Sequence, residues 1–265
     1  MPKLAASVAW MFQEAPLLER FALAASAGFE AVEVQVPYAE PAQAIADRVR
    51  DAGLRVVLIN TPDAVAAIPG EERAFQAGMT RALEYASTLG CEQVHCMAGR
   101  SAGPAAEAAF IANLRWAADA AESQGVRINL EPLNTTDNPG YFLTSSTQAA
   151  AIIEAVGRDN MRLQFDCYHM QIMQGRLSET IRQQLDLIGH IQIGGVPGRH
   201  EPDAAQEINY PYLLGHIDAL GFDGWVGCEY RPRAGSMDGL EWARPYGVAA
   251  PVATRTGAAQ KGTSA

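Results

Sequence analysis

The sequence predicts a (β/α)8 barrel, an α/β fold in which eight parallel strands alternate with helices and close into one domain. Eight strand-like apolar runs recur along the 265 residues, with a helix-like segment between each run and the next. Several runs are almost continuous in Val, Ile, Leu and Ala, which is typical of strands covered on both faces. Eight such units in about 250 residues are what one closed barrel requires.

The strands are assigned from these apolar runs, and the helices from apolar residues that recur with the helical period. In chain order the runs are Leu4–Trp10, Phe29–Val36, Leu54–Asn60, Gln93–Ala98, Arg127–Leu133, Arg162–Tyr168, His190–Gly194 and Trp225–Tyr230. At six places a glycine stands between a helical segment and the next strand, where a left-handed residue is expected to end the helix. These glycines are Gly28, Gly53, Gly90, Gly125, Gly189 and Gly221.

An open, doubly wound sheet is the alternative fold. Such sheets usually carry a glycine-rich first turn that binds a dinucleotide. Here the first strand runs into WMFQEAP (residues 10–16), which contains no glycine. This favours the closed barrel and argues against a hydride-transfer enzyme. We expect one domain over residues 1–252, followed by a small, polar tail over residues 253–265 that frays.

The composition indicates a small-molecule partner. The chain has 30 acidic and 20 basic residues and a net charge of −10, which argues against nucleic acid or an anionic membrane as the partner. No window of 18 apolar residues predicts a transmembrane helix, and the N-terminus does not read as a signal peptide. Four cysteines without C-x-x-C pairs indicate buried, reduced thiols, so we expect a cytoplasmic protein. They are Cys91, Cys96, Cys167 and Cys228.

Oxygen-bearing side chains stand near the C-terminal ends of four consecutive predicted strands, where barrels of this kind keep their active sites. They are Glu131, Asp166, Gln192 and Glu229. Clustered carboxylates repel one another and lose hydration, so they need a positive charge nearby. Lysine occurs only at Lys3 and Lys261, and no arginine lies in the four strand cores. A divalent cation is therefore the expected counter-charge, and an all-oxygen set suits Mg²⁺ or Mn²⁺ better than Zn²⁺.

Further polar residues follow the same strands. His169 stands three residues after Asp166, where it could act as an acid or base or bind a substrate oxygen. The segment GVPGRHEP (residues 195–202) presents Arg199, whose guanidinium could hold a substrate carboxylate in a bidentate pair. Glu201 in this segment is a further candidate for substrate binding. A surface loop residue without a role in the site is the alternative for His169 and for Arg199.

Earlier strands contribute weaker candidates. His95, at the end of the fourth predicted strand, either lines the mouth of the barrel and binds substrate or packs in the core. Glu33 and Asn60 stand near the ends of the second and third strands and are candidates for contacts to the substrate or to the primary site residues. Trp10 and Phe12, after the first strand, either close the mouth as a lid that excludes water or simply pack there.

Seven short motifs surround these residues: LEPLN (130–134), PGYFL (139–143), QFDCYHMQ (164–171), GHIQI (189–193), PGRHEP (197–202), EINY (207–210) and GCEY (227–230). Together they resemble the hydroxypyruvate isomerase family, which lies within the xylose-isomerase-like TIM barrels that also include sugar epimerases. The likeness extends from about residue 4 to residue 232. Related sugar epimerases usually place His where Gln192 stands, so Gln indicates the hydroxypyruvate isomerase branch, which also holds 2-oxo-tetronate isomerases.

The resemblance implies a (β/α)8 barrel with a divalent metal bound by Glu131, Asp166, Gln192 and Glu229. It also implies that Glu131 and Glu229 are the catalytic, proton-transferring pair and that His169 and Arg199 contact the substrate. The reaction expected from it is the conversion of hydroxypyruvate to tartronate semialdehyde through an enediolate. The alternatives are a 2-oxo-tetronate isomerase, a ketose 3-epimerase and a non-enzymatic barrel that binds a sugar acid.

Two further expectations concern partners. Metal-dependent cleavage of damaged DNA, also known in this fold, needs many His ligands and a basic face. Five histidines and a charge of −10 argue against it. Because barrel families often self-associate, we expect a homodimer or a homotetramer.

Overall fold

The computed structural model describes residues 1–248 and confirms the predicted (β/α)8 barrel. Eight parallel strands pair in chain order, and the last pairs with the first to close the sheet. The strands are β1 (Lys3–Ser7), β2 (Ala31–Glu33), β3 (Arg55–Asn60), β4 (Gln93–His95), β5 (Arg127–Leu130), β6 (Met161–Asp166), β7 (Ile188–Ile193) and β8 (Trp225–Cys228). The predicted domain boundary at residue 252 and the tail at 253–265 lie outside the described residues.

Helices surround the strands. They are α1 (Leu17–Ser26), α2 (Ala42–Asp51), α3 (Glu72–Leu89), α4 (Gly103–Glu122), α5 (Ser146–Val156), α6 (Cys167–Met173), α7 (Leu177–Gln184) and α8 (Tyr210–Ala219). Short 3-10 segments occupy Pro37–Ala39, Leu185–Leu187 and Leu240–Tyr246. Helix α6 begins directly where β6 ends, because the Asp166 carboxylate caps it by accepting the Tyr168 N–H at 2.8 Å. Within residues 1–248, no helix is long and apolar enough to cross a membrane.

The apolar core lies between the strands and the helices, whereas the interior of the barrel is largely polar. Successive residues of a strand point to opposite faces. In β7, Ile191 and Ile193 join the core under the helices. His190 and Gln192 alternate with them and bond to Glu33 of β2, which is not a neighbour of β7 in the sheet. Those contacts therefore cross the interior, and the same alternation places buried polar residues of β4, β5 and β6 there. They are Gln93, His95, Asn129, Gln164 and Asp166.

The strands end earlier than the apolar runs predict. Strand β5 ends at Leu130 and β8 at Cys228, so Glu131 and Glu229 stand one residue beyond the sheet, in the loops at the mouth. Five of the six predicted glycines have positive φ angles between 62° and 93°, as expected. The prediction for Gly189 is wrong, because this residue lies inside β7. A Cβ there would approach the Arg162 Cβ to 2.8 Å, so close packing requires glycine at this position.

Candidate active site

A cavity of about 550 Å³ opens at the C-terminal ends of the strands. Five predicted site residues line it: His95, Glu131, His169, Arg199 and Glu229. Asp166 and Gln192 are fully buried nearby, since Asp166 contacts Arg199 and Gln192 connects to Glu131 through Gln164. The structure thus brings seven of the eight predicted residues to one end of the barrel.

Three carboxyl groups lie buried close together, from Glu131, Asp166 and Glu229. Burial raises the pKa of Glu131 well above its ordinary value, and the charges of the other two carboxylates raise it further. Burial likewise raises the pKa of Asp166, against the opposing charge of Arg199. For Glu229, burial outweighs that guanidinium and raises the pKa to about 8. Such elevated values are typical of groups that transfer protons near neutral pH.

The Arg199 guanidinium supplies positive charge to this cluster. Its Nη2 lies 3.0 Å from Asp166 Oδ2 and 3.0 Å from Glu229 Oε1. The group stacks between the rings of Trp10 and Tyr168, at 4.4 and 5.0 Å from their centroids. Arg127 and Arg162 lie in β5 and β6, but the arginine that reaches the carboxylates is Arg199, which lies in the loop after β7. When all three carboxylates are ionised, the one guanidinium leaves a formal charge of two negative units, which a divalent cation would balance.

His169 is held as a neutral hydrogen-bond donor. The backbone N–H of Asn134 donates to its Nδ1 at 3.1 Å, and the Asn134 side-chain amide nitrogen lies 2.7 Å from the same atom. Burial lowers the pKa of His169 well below its ordinary value. Nδ1 therefore has no proton and Nε2 carries one, 3.5 Å from Asp166 Oδ2 and 3.8 Å from Glu131 Oε1. In this tautomer His169 offers an N–H to an oxygen in the cavity. The three residues Glu131, Asp166 and His169 lie close enough together, within 4.8 Å, to form a potential metal-ligand cluster.

Gln192 is connected to Glu131 through a residue that sequence reasoning missed. The Gln164 side-chain amide donates to Gln192 Oε1 at 2.7 Å and to Glu131 Oε2 at 2.9 Å. Gln192 in turn donates through Nε2 to both oxygens of Glu33, at 3.2 and 3.1 Å. The signal for Gln164 was its position two residues before Asp166, which places both side chains on the same face of β6.

Two buried polar groups at the cavity lack hydrogen-bond partners within residues 1–248. Neither ring nitrogen of His95 makes a well-directed hydrogen bond, although its Nδ1 lies 3.3 Å from Glu131 Oε2. Burial lowers the pKa of His95 to about 3, so its ring is neutral. The side-chain oxygen of Asn60 is likewise unpartnered. Since buried polar groups are normally satisfied, both are suited to contact the hydroxyl or carbonyl groups of a ligand.

Arg100 is a second cavity residue that the sequence pattern does not indicate. Its backbone is fixed, because it pairs with Tyr141 in an isolated bridge and the Phe142 N–H donates to the Gly99 carbonyl at 2.9 Å. Gly99 has a φ of +93°, and a Cβ there would lie 2.1 Å from the Ala64 carbonyl oxygen. The Arg100 side chain is exposed at the cavity and forms no ion pair with the acidic residues that the structure describes.

The structure does not bring Glu201 to the cavity. This carboxylate accepts the backbone N–H of Arg233 at 2.8 Å and pairs with the Arg233 guanidinium at 3.1 Å. It therefore joins the loop after β7 to the loop after β8. The two aromatic residues after β1 also differ. Trp10 lines the cavity, whereas Phe12 is fully buried and its N–H donates to Ser236.

Comparisons with known proteins agree with this architecture. Residues 21–246 match the protein family described as the xylose isomerase-like TIM barrel. The 2-oxo-tetronate isomerase of Cupriavidus necator is 45% identical over 258 residues, which cover 93% of this chain and 99% of that protein. The hydroxypyruvate isomerase of Escherichia coli is 38% identical over 258 residues, which cover 93% of this chain and 100% of that protein.

A solved structure is similar along nearly the whole chain as well. The crystal structure of a protein named AP endonuclease, family 2, from Brucella melitensis superposes with a TM-score of 0.91 and 43% sequence identity. The match covers 93% of this chain and 99% of that chain.

Proposed function

Because the chain belongs to the xylose isomerase-like TIM barrel family and is an isomerase, we propose that it interconverts the ketose and aldose forms of a short 2-oxo acid with a hydroxyl group on carbon 3. Hydroxypyruvate, which would give tartronate semialdehyde, is the first candidate substrate. A 2-oxo-tetronate is the second, favoured by the 45% identity to an isomerase named for it. The observation that carries the proposal is the pair Glu131 and Glu229, both buried with raised pKa values at one cavity.

The carboxylate cluster fits a divalent cation. Its donors are hard oxygens, its pKa values are raised because burial and mutual repulsion disfavour the charged forms, and Arg199 compensates only one of three charges. Glu131, Asp166 and Glu229, with the side-chain oxygen of Gln192, would hold Mg²⁺ or Mn²⁺. When bound, the ion would stabilise negative charge that develops on substrate oxygens.

The chain's own residues account for the proton transfer. One glutamate of the pair Glu131 and Glu229 removes a proton from carbon 3, which gives an enediolate, and a proton is then delivered to carbon 2. One C–H bond breaks, one forms, and a hydroxyl proton moves between the two oxygens, so no redox partner is needed. The His169 N–H is placed to donate to one of these oxygens. Trp10 lines the cavity beside the buried carboxylates, where its ring would restrict the access of water to the enediolate.

Arg100 is the residue that we assign to the substrate carboxylate. The guanidinium of Arg199, which the sequence favoured for this role, is bound by Asp166 and Glu229. Arg100 lines the same cavity with its side chain exposed. A planar guanidinium can hold a carboxylate in a bidentate pair. The role of Arg199 as a direct substrate contact stays a prediction.

The test is proton NMR of metal-stripped protein in D2O with hydroxypyruvate, before and after Mg²⁺ or Mn²⁺ is added, and with 2-oxo-tetronates in parallel. Metal-dependent formation of tartronate semialdehyde, with deuterium incorporated at carbon 2, is the expected result. Faster conversion of a four-carbon acid would keep the mechanism and change the substrate. No conversion of either acid, with metal bound, would overturn the proposed function.

An oligonucleotide with an abasic site belongs in the same experiment, because a similar structure carries the name AP endonuclease. We expect no cleavage. The net charge of −10 opposes DNA binding, and the one cluster of potential metal ligands found among residues 1–248 contains a single histidine, His169. The cytoplasmic location and the assembly into a dimer or tetramer stay predictions.

A further inference from the structure

Glu33 is a buried carboxylate near the proposed cation site, and within residues 1–248 its side-chain hydrogen bonds go to residues that do not line the cavity. It ends β2 and has no solvent exposure. Its oxygens accept hydrogen bonds from Gln35 Nε2 at 2.9 Å and from Gln192 Nε2 at 3.2 and 3.1 Å, and they contact His190 Nε2. Every neighbour in this set is a donor, which is what an ionised carboxylate requires.

The carboxylate fixes the orientation of the Gln192 amide. An amide has a donating nitrogen and an accepting oxygen at the two ends of one planar group, and an ionised carboxylate can only accept. Glu33 therefore binds the nitrogen end, and Gln192 Oε1 is turned the other way, toward Gln164 and Glu131. Only this oxygen end of the amide can coordinate a hard cation. If Glu33 did not hold the nitrogen, the amide would be free to rotate and present N–H groups instead.

The charge of Glu33 also acts on the site. No lysine or arginine pairs with it among the ion pairs of residues 1–248, and its basic neighbour is His190. The negative charge of Glu33 adds to the effect of burial in raising the pKa values of Glu131, Asp166 and Glu229.

The fold makes room for this group at one position. A Cβ built on Gly227 of β8 would lie 1.8 Å from Glu33 Oε1. The backbone of Gly227 does not have a positive φ angle, so space rather than conformation requires glycine there. Gly227 of β8 thus leaves space for the Glu33 carboxylate, and His190 and Gln192 of β7 form hydrogen bonds with it.

We propose that Glu33 is a positioning residue for the cation site: it holds the side-chain oxygen of Gln192 toward Glu131 and provides a buried negative charge that favours a divalent ion. This inference rests on the proposed function, because the ion is the one proposed there. Mutation of a residue that hydrogen-bonds to a metal ligand and orients it commonly lowers metal affinity by about 10- to 100-fold.

The experiment measures Mn²⁺ binding to metal-stripped full-length protein by EPR of the free ion and by calorimetry, with no substrate present. We expect Glu33→Gln to weaken Mn²⁺ binding by about 10- to 100-fold. Glu33→Asp, which keeps the charge but is too short to reach Gln192, should lose less. Gln35→Leu is the matched control, since it removes one hydrogen bond to Glu33 and leaves the contact with Gln192 intact. For this control we expect a change of less than about threefold.

The outcomes separate this inference from the proposed function. If the wild type binds no Mn²⁺, the cation of the proposed function is wrong. If the wild type binds Mn²⁺ and both Glu33 variants bind it as tightly, the positioning role is wrong while the proposed function stands. Circular dichroism and thermal unfolding show whether each variant is folded. If Glu33→Gln does not fold, the comparison of Glu33→Asp with Gln35→Leu decides the question.

Discussion

Arg199 is the most informative residue to remove, because its charge serves two buried carboxylates at once. Arg199→Gln deletes contacts of 3.0 Å to Asp166 and to Glu229, in a pair whose arginine side chain is only 12% exposed. Breaking a buried ion pair by removing one partner costs about 3–5 kcal/mol. We therefore expect the metal-free variant to lose about 3 kcal/mol of unfolding free energy, which corresponds to a fall in Tm of roughly 6–12 °C for a chain of this size.

The loss depends on pH in a defined direction. The guanidinium lowers the pKa of Asp166 and of Glu229 against the effect of burial, so both pKa values rise further when it is removed. A carboxyl group whose pKa is higher in the folded than in the unfolded state loses stability as the pH rises between the two values. The two proteins lose stability in parallel until the pH reaches the wild-type pKa of each carboxyl group, which for Glu229 is about 8. The difference in Tm between wild type and Arg199→Gln should therefore be larger at about pH 9 than at about pH 7.

Calorimetric unfolding at both pH values, in EDTA and in excess Mn²⁺, tests this reasoning. Since a divalent ion supplies the missing charge, Mn²⁺ should narrow the difference. Arg158→Gln is the control, because its pair with Asp119 is half exposed and contributes at most about 1 kcal/mol. An equal Tm difference at both pH values, or one that Mn²⁺ leaves unchanged, would refute the idea that Arg199 balances the charge of the cluster.

Three further predictions follow from the site. Glu131→Gln and Glu229→Gln should each reduce kcat by about 10²- to 10⁴-fold while circular dichroism shows an intact fold; near-normal turnover of either variant would contradict its role in proton transfer. Arg100→Gln should raise KM for hydroxypyruvate by about 10- to 100-fold with little change in kcat, and steady-state kinetics with Arg100→Lys as the conservative control would detect this. Because burial lowers the pKa of His95 to about 3, wild-type stability should fall as the pH drops below about 6.5, by about 2 kcal/mol at about pH 5. His95→Gln should reduce this dependence of the unfolding free energy on pH. Urea unfolding at several pH values measures it, and the same dependence in wild type and variant would argue against a neutral His95.

The fold could be predicted because its signals are local and repeated. Each strand supplies apolar residues to the layer under the helices, so the runs stand out even though the alternate positions, such as Gln164 and His190, are polar. Strand ends could not be predicted to the residue. Glu131 and Glu229 stand one residue beyond β5 and β8, although the Glu229 N–H still donates to the Ile193 carbonyl of β7 at 3.0 Å, so the apolar run alone does not mark the end of the strand.

The sequence predicts the location of site residues that lie on strands, but it does not predict the location of residues that depend on loop conformation. Asp166 and Gln192 follow from strand order alone. Arg199 reaches the carboxylates because the loop after β7 folds back with a positive φ at this residue. Glu201, two residues later, pairs with Arg233 instead. The position of Arg100 at the cavity depends on the backbone bridge between its loop and Tyr141. No pattern within either loop indicates which residues will meet.

The hydrogen bonds of Glu33 also have a mechanical consequence. A closed ring of strands can flatten toward an ellipse without breaking any bond between neighbouring strands. The links from Glu33 to His190 and Gln192 join β2 to β7, three strands apart around the ring, and so act as a diagonal brace across the lumen. Such a brace keeps the cross-section round, and with it the spacing of the carboxylates that stand on the rim.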